Sequence, residues 1–247
     1  MAGRLGSLGE LLGALCSGVF TSGPALDLGT GHGRSARVLA ESCGRHVIGV
    51  DIDLEKLFDA RARLVGEPLD FVRGEAARLP FRGESFALVT AIFTIHEIER
   101  SSVLLALREV RRVLKPEGGL IVVDKCRVPA LTLPEELTLL TEEAFHSALE
   151  QARGARVTGV MAPDDLVELV ESAGFEVEER WVGRVGKWLP PEEFLKSWGA
   201  KTKSLIQQIE DQDAADRLRK LVNRIVEIAK EHGYGPAPAL CARFSKT

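Results

Sequence analysis

Residues 26–33 read Leu26-Asp27-Leu28-Gly29-Thr30-Gly31-His32-Gly33 and join a short apolar run to a segment with helical spacing. Glycines at such a strand-to-helix junction let the backbone turn tightly. Because glycine has no Cβ atom, a ligand can also lie against the main-chain N–H groups at the start of the helix. The stretch therefore predicts an α/β fold with a ligand site at the end of a strand.

Short apolar runs alternate with helical segments on both sides of this junction. Strands are predicted at 25–28, 46–50, 70–73, 87–91, 120–124, 175–182 and 239–244. Helices are predicted at 5–19, 34–42, 54–64, 102–114, 134–152 and 163–173, with two or more further helices within 190–232. The alternation predicts a doubly wound, mostly parallel sheet covered by helices on both faces.

A single domain is predicted, because 247 residues are few for two independent cores. An N-terminal helix lies within residues 1–20. The helical stretches 129–160 and 190–233 exceed what the alternation needs and are interpreted as lid-like insertions. The apolar stripe from Leu205 to Ile228 in the second insertion is expected to fold over the pocket or to form the contact of a homodimer.

The composition is typical of a soluble globular protein, with 45% hydrophobic and 28% charged residues. The net charge of -4 gives no reason to expect a nucleic-acid partner. No run reaches the roughly 20 apolar residues of a membrane span. Glu10 interrupts the apolar start, and Leu15 precedes Cys16 where a lipoprotein signal needs a small residue. The sequence therefore predicts a cytoplasmic protein.

The four cysteines, Cys16, Cys43, Cys126 and Cys241, stand singly in the sequence. They form no CxxC pair and have no close His partner, so no metal site is predicted. They are expected to be reduced and mostly buried.

Asp51 ends the second predicted strand and is expected to accept hydrogen bonds from a ribose diol. Two cofactor classes fit this residue. Gly31, Gly33 and Ala36 also satisfy the dinucleotide fingerprint G-x-G-x-x-A, with Asp51 about 20 residues downstream. A nicotinamide cofactor therefore stays open at this point. The capping of the next helix is assigned mainly to Asp53.

Two acidic residues favour a cofactor with a methionine part over a nicotinamide cofactor. Asp27 precedes the first glycine by two places, where a carboxylate suits the ammonium group of a bound amino acid, directly or through water, and would repel a pyrophosphate. Glu75 follows the third predicted strand, where it can accept from an adenine amino group. The N–H of Ala76 is then available to a ring nitrogen.

Four motifs in order resemble the class I, Rossmann-like S-adenosylmethionine-dependent methyltransferases, particularly the small-molecule subgroup that includes the quinone-biosynthesis methylases. They are residues 27–33, 49–53, 74–76 with 79–81, and 114–119. The resemblance implies a seven-stranded sheet with an antiparallel last strand, and in-line methyl transfer to a small-molecule acceptor. The cofactor-binding residues carried over are Asp27, Gly29, Thr30, Gly31, Asp51, Ile52, Glu75, Ala76 and Ala91. The sequence departs from the subgroup in two places, with Glu75 where Asp is usual and Ala87 where an acidic residue often follows Phe86.

The acceptor is expected over the carboxyl ends of the strands that lead to Ala91 and Asp124, because open α/β sheets bind ligands there. His96 and Glu97 are the predicted catalytic residues, since a His titrates near neutrality and can take a proton from the acceptor. Asp124 and Lys125 are further candidates at this edge.

Less specific interpretations stay open beside these assignments. His96 could instead fix its loop through backbone hydrogen bonds, His32 is interpreted as a loop residue, and His146 as a lid-surface or pocket-lining residue. The whole chain could be an NAD(P)-dependent oxidoreductase, or a non-catalytic subunit that binds the cofactor beside a partner.

Overall fold

The computed structural model describes residues 5–19, 21–129 and 131–247. Within these residues eight strands form one sheet, flanked by helices. The strands are β1 (Leu5–Gly6), β2 (Ala25–Leu28), β3 (Val47–Asp51), β4 (Leu69–Arg73), β5 (Phe86–Ile92), β6 (Leu114–Lys125), β7 (Phe175–Val185) and β8 (Ala237–Lys246). The helices are α1 (Leu8–Cys16), α2 (Arg34–Cys43), α3 (Leu54–Arg63), α4 (Val103–Val113), α5 (Leu133–Arg153), α6 (Pro163–Glu171), α7 (Pro191–Ser197), α8 (Ala200–Ile206) and α9 (Gln212–His232). A 3-10 turn covers Ile95–Glu97.

The strand order is β1-β7-β8-β6-β5-β2-β3-β4. Strand β8 runs antiparallel to both of its neighbours, whereas the other pairs are parallel. This confirms the predicted doubly wound, seven-stranded sheet with its antiparallel last strand, to which β1 adds two residues at one edge. The order reverses between β2 and β5, which is where ligands bind in open sheets of this type.

Side chains of the central strands alternate between two hydrophobic cores. Leu26 and Leu28 of β2 belong to the core under α4 and α6, whereas Ala25 belongs to the core under α1 and α2. All seven residues of β5 are buried. A strand that is covered on both faces reads as a continuous apolar run, which is why the sequence reveals it.

Some predicted boundaries differ from the structure. Helix α1 begins only at Leu8, after a capping box in which Ser7 and Glu10 exchange hydrogen bonds. Residues 1–4 and 20 of the predicted N-terminal helix lie outside the described residues. Strand β6 begins at Leu114 rather than at residue 120, because Leu114 already pairs with Phe86 ahead of an irregularity in the register.

The two predicted insertions consist of α5 and of α7 to α9, which pack against one another. The apolar stripe predicted in the second insertion is buried there, since Leu205, Leu218 and Val222 share a core with Ala148 of α5. Helices of this chain therefore cover the stripe, which weakens the case for a homodimer contact at that place. Among the described residues, no helix combines the length and the apolar composition that crossing a membrane requires.

The expectation of four reduced cysteines is wrong for two of them. Cys16, at the end of α1, forms a disulfide with Cys43, at the end of α2, with a Cα–Cα distance of 6.1 Å. The two helices pack together, which brings residues 27 positions apart in sequence into contact. Single cysteines give no sign of such a pairing because it depends on helix packing. Cys126 and Cys241 are free and buried, as expected.

Candidate functional site

A cavity of about 740 Å³ lies at the carboxyl ends of β2, β3 and β5, beside the reversal of strand order. Its floor is formed by the glycine loop after β2 and by the ends of β3 and β4. Its other walls come from the segment that follows β5, from α5, and from residues 197–202, which span the end of α7 and the start of α8. The two insertions therefore complete a cavity that the sheet begins.

The glycine loop is fixed to β3 by its backbone. The N–H groups of Gly29 and Thr30 both donate to the carbonyl of Val50, at 2.8 and 3.0 Å. Gly31 has a φ of 52°, and a Cβ atom at this residue would face the cavity, with only Lys56 Cδ within 4 Å, at 3.9 Å. Gly31 thus keeps open the space next to its own main chain.

Asp51 presents its carboxylate at the end of β3, on the cavity wall. Its Oδ2 accepts from the Gly31 N–H at 2.8 Å, and its Oδ1 accepts from the Asp53 N–H at 2.9 Å. These two bonds fix the orientation of the carboxylate, and each oxygen keeps a further lone pair for a ligand hydroxyl. Asp53 caps α3 by accepting from the N–H groups of Glu55 and Lys56, which confirms the capping role predicted for it.

An apolar slot adjoins Asp51 on the same wall. Ile52 lines the cavity although 63% of its surface is exposed, and Ala76 lines it from the segment after β4. The N–H of Gly74 donates to the carbonyl of Asp51 at 3.0 Å, which brings Glu75 and Ala76 beside Ile52. A flat ring between these residues would cover the apolar surface of Ile52 while its edge meets the polar groups of Glu75 and Ala76.

Asp27 lies beneath the glycine loop and does not line the cavity. It is fully buried and accepts from Ser35 Oγ at 2.6 Å and from Thr90 Oγ1 at 2.8 Å. Burial raises the pKa of Asp27 above its ordinary value, although these hydroxyl groups oppose the shift. Both of its oxygens have partners within the protein, so Asp27 supports the loop from below.

Polar side chains gather on the opposite wall, where β5 and β6 end. His96 is 4% exposed, and its Nδ1 is hydrogen-bonded to Asp124 Oδ1. Its main-chain N–H donates to Asp124 Oδ2 at 3.1 Å. Burial alone would lower the pKa of His96, but the adjacent carboxylate of Asp124 raises it above its ordinary value. Asp124 therefore fixes the imidazole ring and leaves Nε2 directed toward Glu97 and Glu142.

Helix α5 faces this pair with two side chains that are one turn apart. His146 Nε2 lies 3.6 Å from Glu142 Oε2 and 3.8 Å from Glu97 Oε1. Lys125 Nζ donates to Glu142 Oε1 from the end of β6. Burial alone would raise the pKa of Glu97, but the neighbouring imidazoles of His146 and His96 lower it to about 2. The Glu97 carboxyl group is thus ionised at neutral pH.

The structure brings most of the sequence-predicted site residues to one cavity. Those on its wall are Gly29, Gly31, Asp51, Ile52, Glu75, Ala76 and Glu97. The others lie directly behind the wall and are buried: Asp27, Thr30, Ala91 and His96. His32 is exposed and pairs with Asp59 of α3, at the surface, as its interpretation as a loop residue requires.

Sequence reasoning missed the residues that the insertions supply. Glu142 and Phe145 of α5 line the cavity, as do Trp198 and Lys201 from the second insertion and Tyr234 from the segment directly after it. One signal was available for α5. Glu142 and His146 are four residues apart, which places both side chains on one face of a helix. The aromatic residues carry no comparable signal.

The comparisons with known proteins agree with this geometry. Residues 26–122 match the family model described as a methyltransferase domain. A demethylmenaquinone methyltransferase of Roseiflexus castenholzii is 30% identical over 174 residues, which cover 65% of this chain and 71% of that protein. One of Clavibacter sepedonicus is 38% identical over 109 residues, which cover 44% of this chain and 43% of that protein. The chain thus spans less than half the length of the Clavibacter relative that it matches.

A solved structure shows the same fold. The YcgJ protein of Bacillus subtilis superposes with a TM-score of 0.57 at 19% identity, over 96% of this chain and 99% of that one. A likeness at this identity supports the architecture alone. Together with the relatives and the matched domain, it shows that the chain belongs to the class I, Rossmann-like family of S-adenosylmethionine-dependent methyltransferases.

Proposed function

We propose that this protein transfers a methyl group from S-adenosylmethionine to a small-molecule acceptor. The observation that carries the proposal is that the glycine loop and Asp51 face the polar cluster at the ends of β5 and β6 across one cavity. A donor and an acceptor bound on these two walls would meet inside that cavity. That is the requirement of an in-line displacement at the sulfonium methyl group.

Each cofactor contact follows from a group on the wall. Asp51 accepts from the two ribose hydroxyls, and Glu75 and Ala76 meet the polar edge of the adenine while Ile52 covers its face. Gly29 and Gly31 let the methionine part lie against the loop. Asp27 and Thr30 hold the loop from below, and Asp27 acts on the ammonium group through the loop or a water molecule. Ala91 closes the floor at the end of β5.

The acceptor occupies the side of the cavity formed by the insertions. Its wall carries aromatic side chains, Phe93, Phe145, Trp198 and Tyr234, which suit a planar apolar molecule. The relatives named demethylmenaquinone methyltransferases point to a quinol-like acceptor of this kind. We assign Glu97 to the direct polar contact with the acceptor and His96 to the position behind it.

Catalysis in this proposal depends on placement, because the sulfonium already activates the methyl group. Holding the acceptor about 3 Å away and in line contributes several kcal/mol through proximity. Helices α5 and α8 act as a lid of the single domain that excludes water from the reacting atoms.

Calorimetry with S-adenosylhomocysteine tests the cofactor assignment. We expect binding at micromolar level or tighter, and a loss of about 1.5–3 kcal/mol in Asp51→Ala, because hydrogen bonds to a charged group disappear. Asp70→Ala is the matched control, since Asp70 pairs with His46 near the start of β3, away from the cavity. NAD binding in preference to S-adenosylhomocysteine would overturn the proposal, and equal affinity in a folded Asp51→Ala variant would refute the ribose contact.

A further inference from the structure

Four potential metal-binding atoms converge between the sheet and α5. His96 and Glu97 come from the 3-10 turn after β5, and Glu142 and His146 from one face of α5. His96 Nε2 lies 3.8 Å from both Glu97 Oε1 and Glu142 Oε2. His146 Nε2 lies 3.8 and 3.6 Å from the same two oxygens. Each of the four residues offers one ligand atom, and these four atoms all lie within 4.8 Å of one another.

These separations are too long for hydrogen bonds and suit a shared ion. A hydrogen bond between nitrogen and oxygen spans about 2.7–3.2 Å. Ligand atoms of a tetrahedral zinc ion, bound at about 2.0–2.2 Å, are about 3.3–3.6 Å apart. The four nitrogen–oxygen separations need to shrink by only a few tenths of an ångström to reach that geometry, and the other two pairs of ligand atoms lie within 4.8 Å. The cluster therefore has the dimensions of a four-coordinate metal site.

A second observation is independent of the spacing. The His146 side chain is only 12% exposed, and its Nε2 atom is buried. This nitrogen has no hydrogen-bond partner among the described residues. A buried ring nitrogen without a partner carries the full desolvation cost of a polar atom. A metal ion at the centre of the cluster would satisfy it.

The surrounding groups orient the ligands as they do in known metal sites. Asp124 holds His96 Nδ1, which leaves Nε2 as the free ligand atom, the arrangement of a carboxylate–histidine–metal unit. Lys125 holds Glu142 Oε1, which leaves Oε2 directed into the cluster. Asp124 and Lys125 are not among the four residues of the cluster, so they hold the side chains of His96 and Glu142 in place from outside it.

We propose that His96, Glu97, Glu142 and His146 bind one divalent transition-metal ion of the zinc class. Two imidazoles and two carboxylates form a nitrogen–oxygen ligand set, which suits zinc and its first-row neighbours, whereas calcium and magnesium require oxygen ligands. The two carboxylates balance the charge of the ion. The sequence predicts no metal here because 45 residues separate the two pairs of ligands.

The position of the ion specifies a role that rests on the proposed function. Glu97 and Glu142 line the cavity that holds the cofactor motifs, so the ion borders the acceptor. A bound cation lowers the pKa of a hydroxyl group that contacts it and orients that group. Coordination also takes His96 Nε2 out of proton transfer and ties α5 to the sheet. The acceptor oxygen is thereby activated by the metal, and His96 acts as a ligand.

Titration of the chelator-treated, full-length protein with Co²⁺ and Zn²⁺ tests the site in the absence of cofactor. We expect one ion per chain, with the visible absorption bands of four-coordinate Co²⁺. Glu142→Gln and His146→Ala should each weaken Zn²⁺ binding at least about 10-fold, and Asp124→Asn by about 10- to 100-fold. Glu143→Gln, exposed on the same helix, and His46→Ala, at the far side of the sheet, are the matched controls and should bind as the wild type does.

The proposal is overturned by either of two results. One is the absence of stoichiometric metal binding by the wild type. The other is wild-type affinity in Glu142→Gln and His146→Ala, and protonated imidazoles paired with carboxylates would then explain the cluster. If the helix variants do not fold, Glu97→Gln on the exposed turn supplies the same measurement.

Binding of S-adenosylhomocysteine is measured separately on the same metal-free samples. If the wild type binds S-adenosylhomocysteine but no metal ion, the metal site alone is refuted. Intact metal binding without cofactor binding would refute the proposed function alone.

Discussion

At the scale of single residues, Gly29 and Gly31 of the glycine loop need to lack a Cβ atom for two different reasons. Gly29 is needed for packing, because a Cβ atom there would lie 2.5 Å from Thr94 Cγ2. Gly31 is needed for open space, because a Cβ atom there would enter the cavity without meeting protein atoms closer than 3.9 Å. Gly29 is therefore required by the packing of the fold, and Gly31 by the open space of the cavity.

Gly31→Ala should weaken cofactor binding with a modest loss of stability. Gly44 is a matched control, because it has a similar φ, 61° against 52°, with nothing within 4 Å of an added Cβ. Both variants should lose about 1–2 kcal/mol of stability from the left-handed backbone. Only Gly31→Ala should lose affinity for S-adenosylhomocysteine, by about tenfold or more, the equivalent of at least 1.4 kcal/mol. Equal affinity in the two variants, measured by calorimetry, would place the cofactor elsewhere.

The sequence predicts the glycine-loop side of the cavity better than the side that the insertions form. The glycine loop and Asp51 fall within one strand-turn-helix unit and the next strand, so their meeting follows from local structure. The bonds of Asp27 to Ser35 and Thr90 come from a helix and a neighbouring strand, and no local pattern shows them. The sequence therefore identifies Asp27 as important without showing that hydroxyl groups of the protein donate to both of its carboxylate oxygens.

At the scale of elements, α5 is tied to the sheet at its N-terminus, and its polar side chains that face the cavity region lie further along. Glu135 accepts from the N–H of Thr132 at 2.9 Å and pairs with Arg184 of β7. Both side chains of the ion pair are largely buried. The start of the helix is therefore tied to the sheet, while Glu142 and His146 face the cavity region two turns later.

Glu135 should make stability depend on pH. Partial burial alone would raise its pKa, but the Thr132 N–H and the Arg184 guanidinium lower it below the ordinary value of 4.5. A group with a lowered pKa stabilises the fold above its unfolded value and loses that contribution as the pH falls through its folded value. Glu135→Gln should thus cost about 1–3 kcal/mol at pH 7.

The pH profile gives the control for this prediction. The stability difference between wild type and Glu135→Gln, measured by urea unfolding, should shrink as the pH falls below 4.5. Glu143→Gln, exposed on the same helix, should differ little from the wild type at either pH. A difference for Glu135→Gln that stays constant with pH would contradict the role of its charge.

The position of α5 over the site could not be derived from its own sequence. Its amphipathic pattern and Pro134 predict a helix between residues 134 and 152, close to the observed Leu133–Arg153. The pattern gives no direction for its docking, which depends on contacts with α8 and α9 far along the chain. Long-range packing of this kind decides which polar residues meet.

At the scale of the whole molecule, the disulfide joins the two helices on one face of the sheet. Cys16 and Cys43 close a segment with a sequence separation of 27. Loop-closure entropy for a segment of this length corresponds to about 3.5 kcal/mol of stability in the oxidised protein. Disulfides are uncommon inside cells, except in heat-adapted organisms, so the cytoplasmic location stays a prediction.

Thiol counting checks the cysteine assignment. Burial raises the pKa of both Cys126 and Cys241 to about 12, so neither forms a reactive thiolate at neutral pH. In the native, unreduced protein we expect no rapidly reacting thiol with an aromatic disulfide reagent. Unfolding without reductant should expose two thiols, and unfolding with prior reduction should expose four. Four reactive thiols in the unreduced, unfolded protein would show that the disulfide is absent.

The hydrophobic interiors of the molecule divide between the sheet and the two insertions. The sheet and its flanking helices enclose the cores that contain Leu26 and Ala25, whereas α5 and α7 to α9 enclose two smaller ones around Leu205 and Ile225. Substitutions inside the smaller cores therefore leave the packing beneath the glycine loop undisturbed. Under the proposed function, a different helical cover grafted onto the same sheet would recruit a different acceptor while the glycine loop and Asp51 stay unchanged.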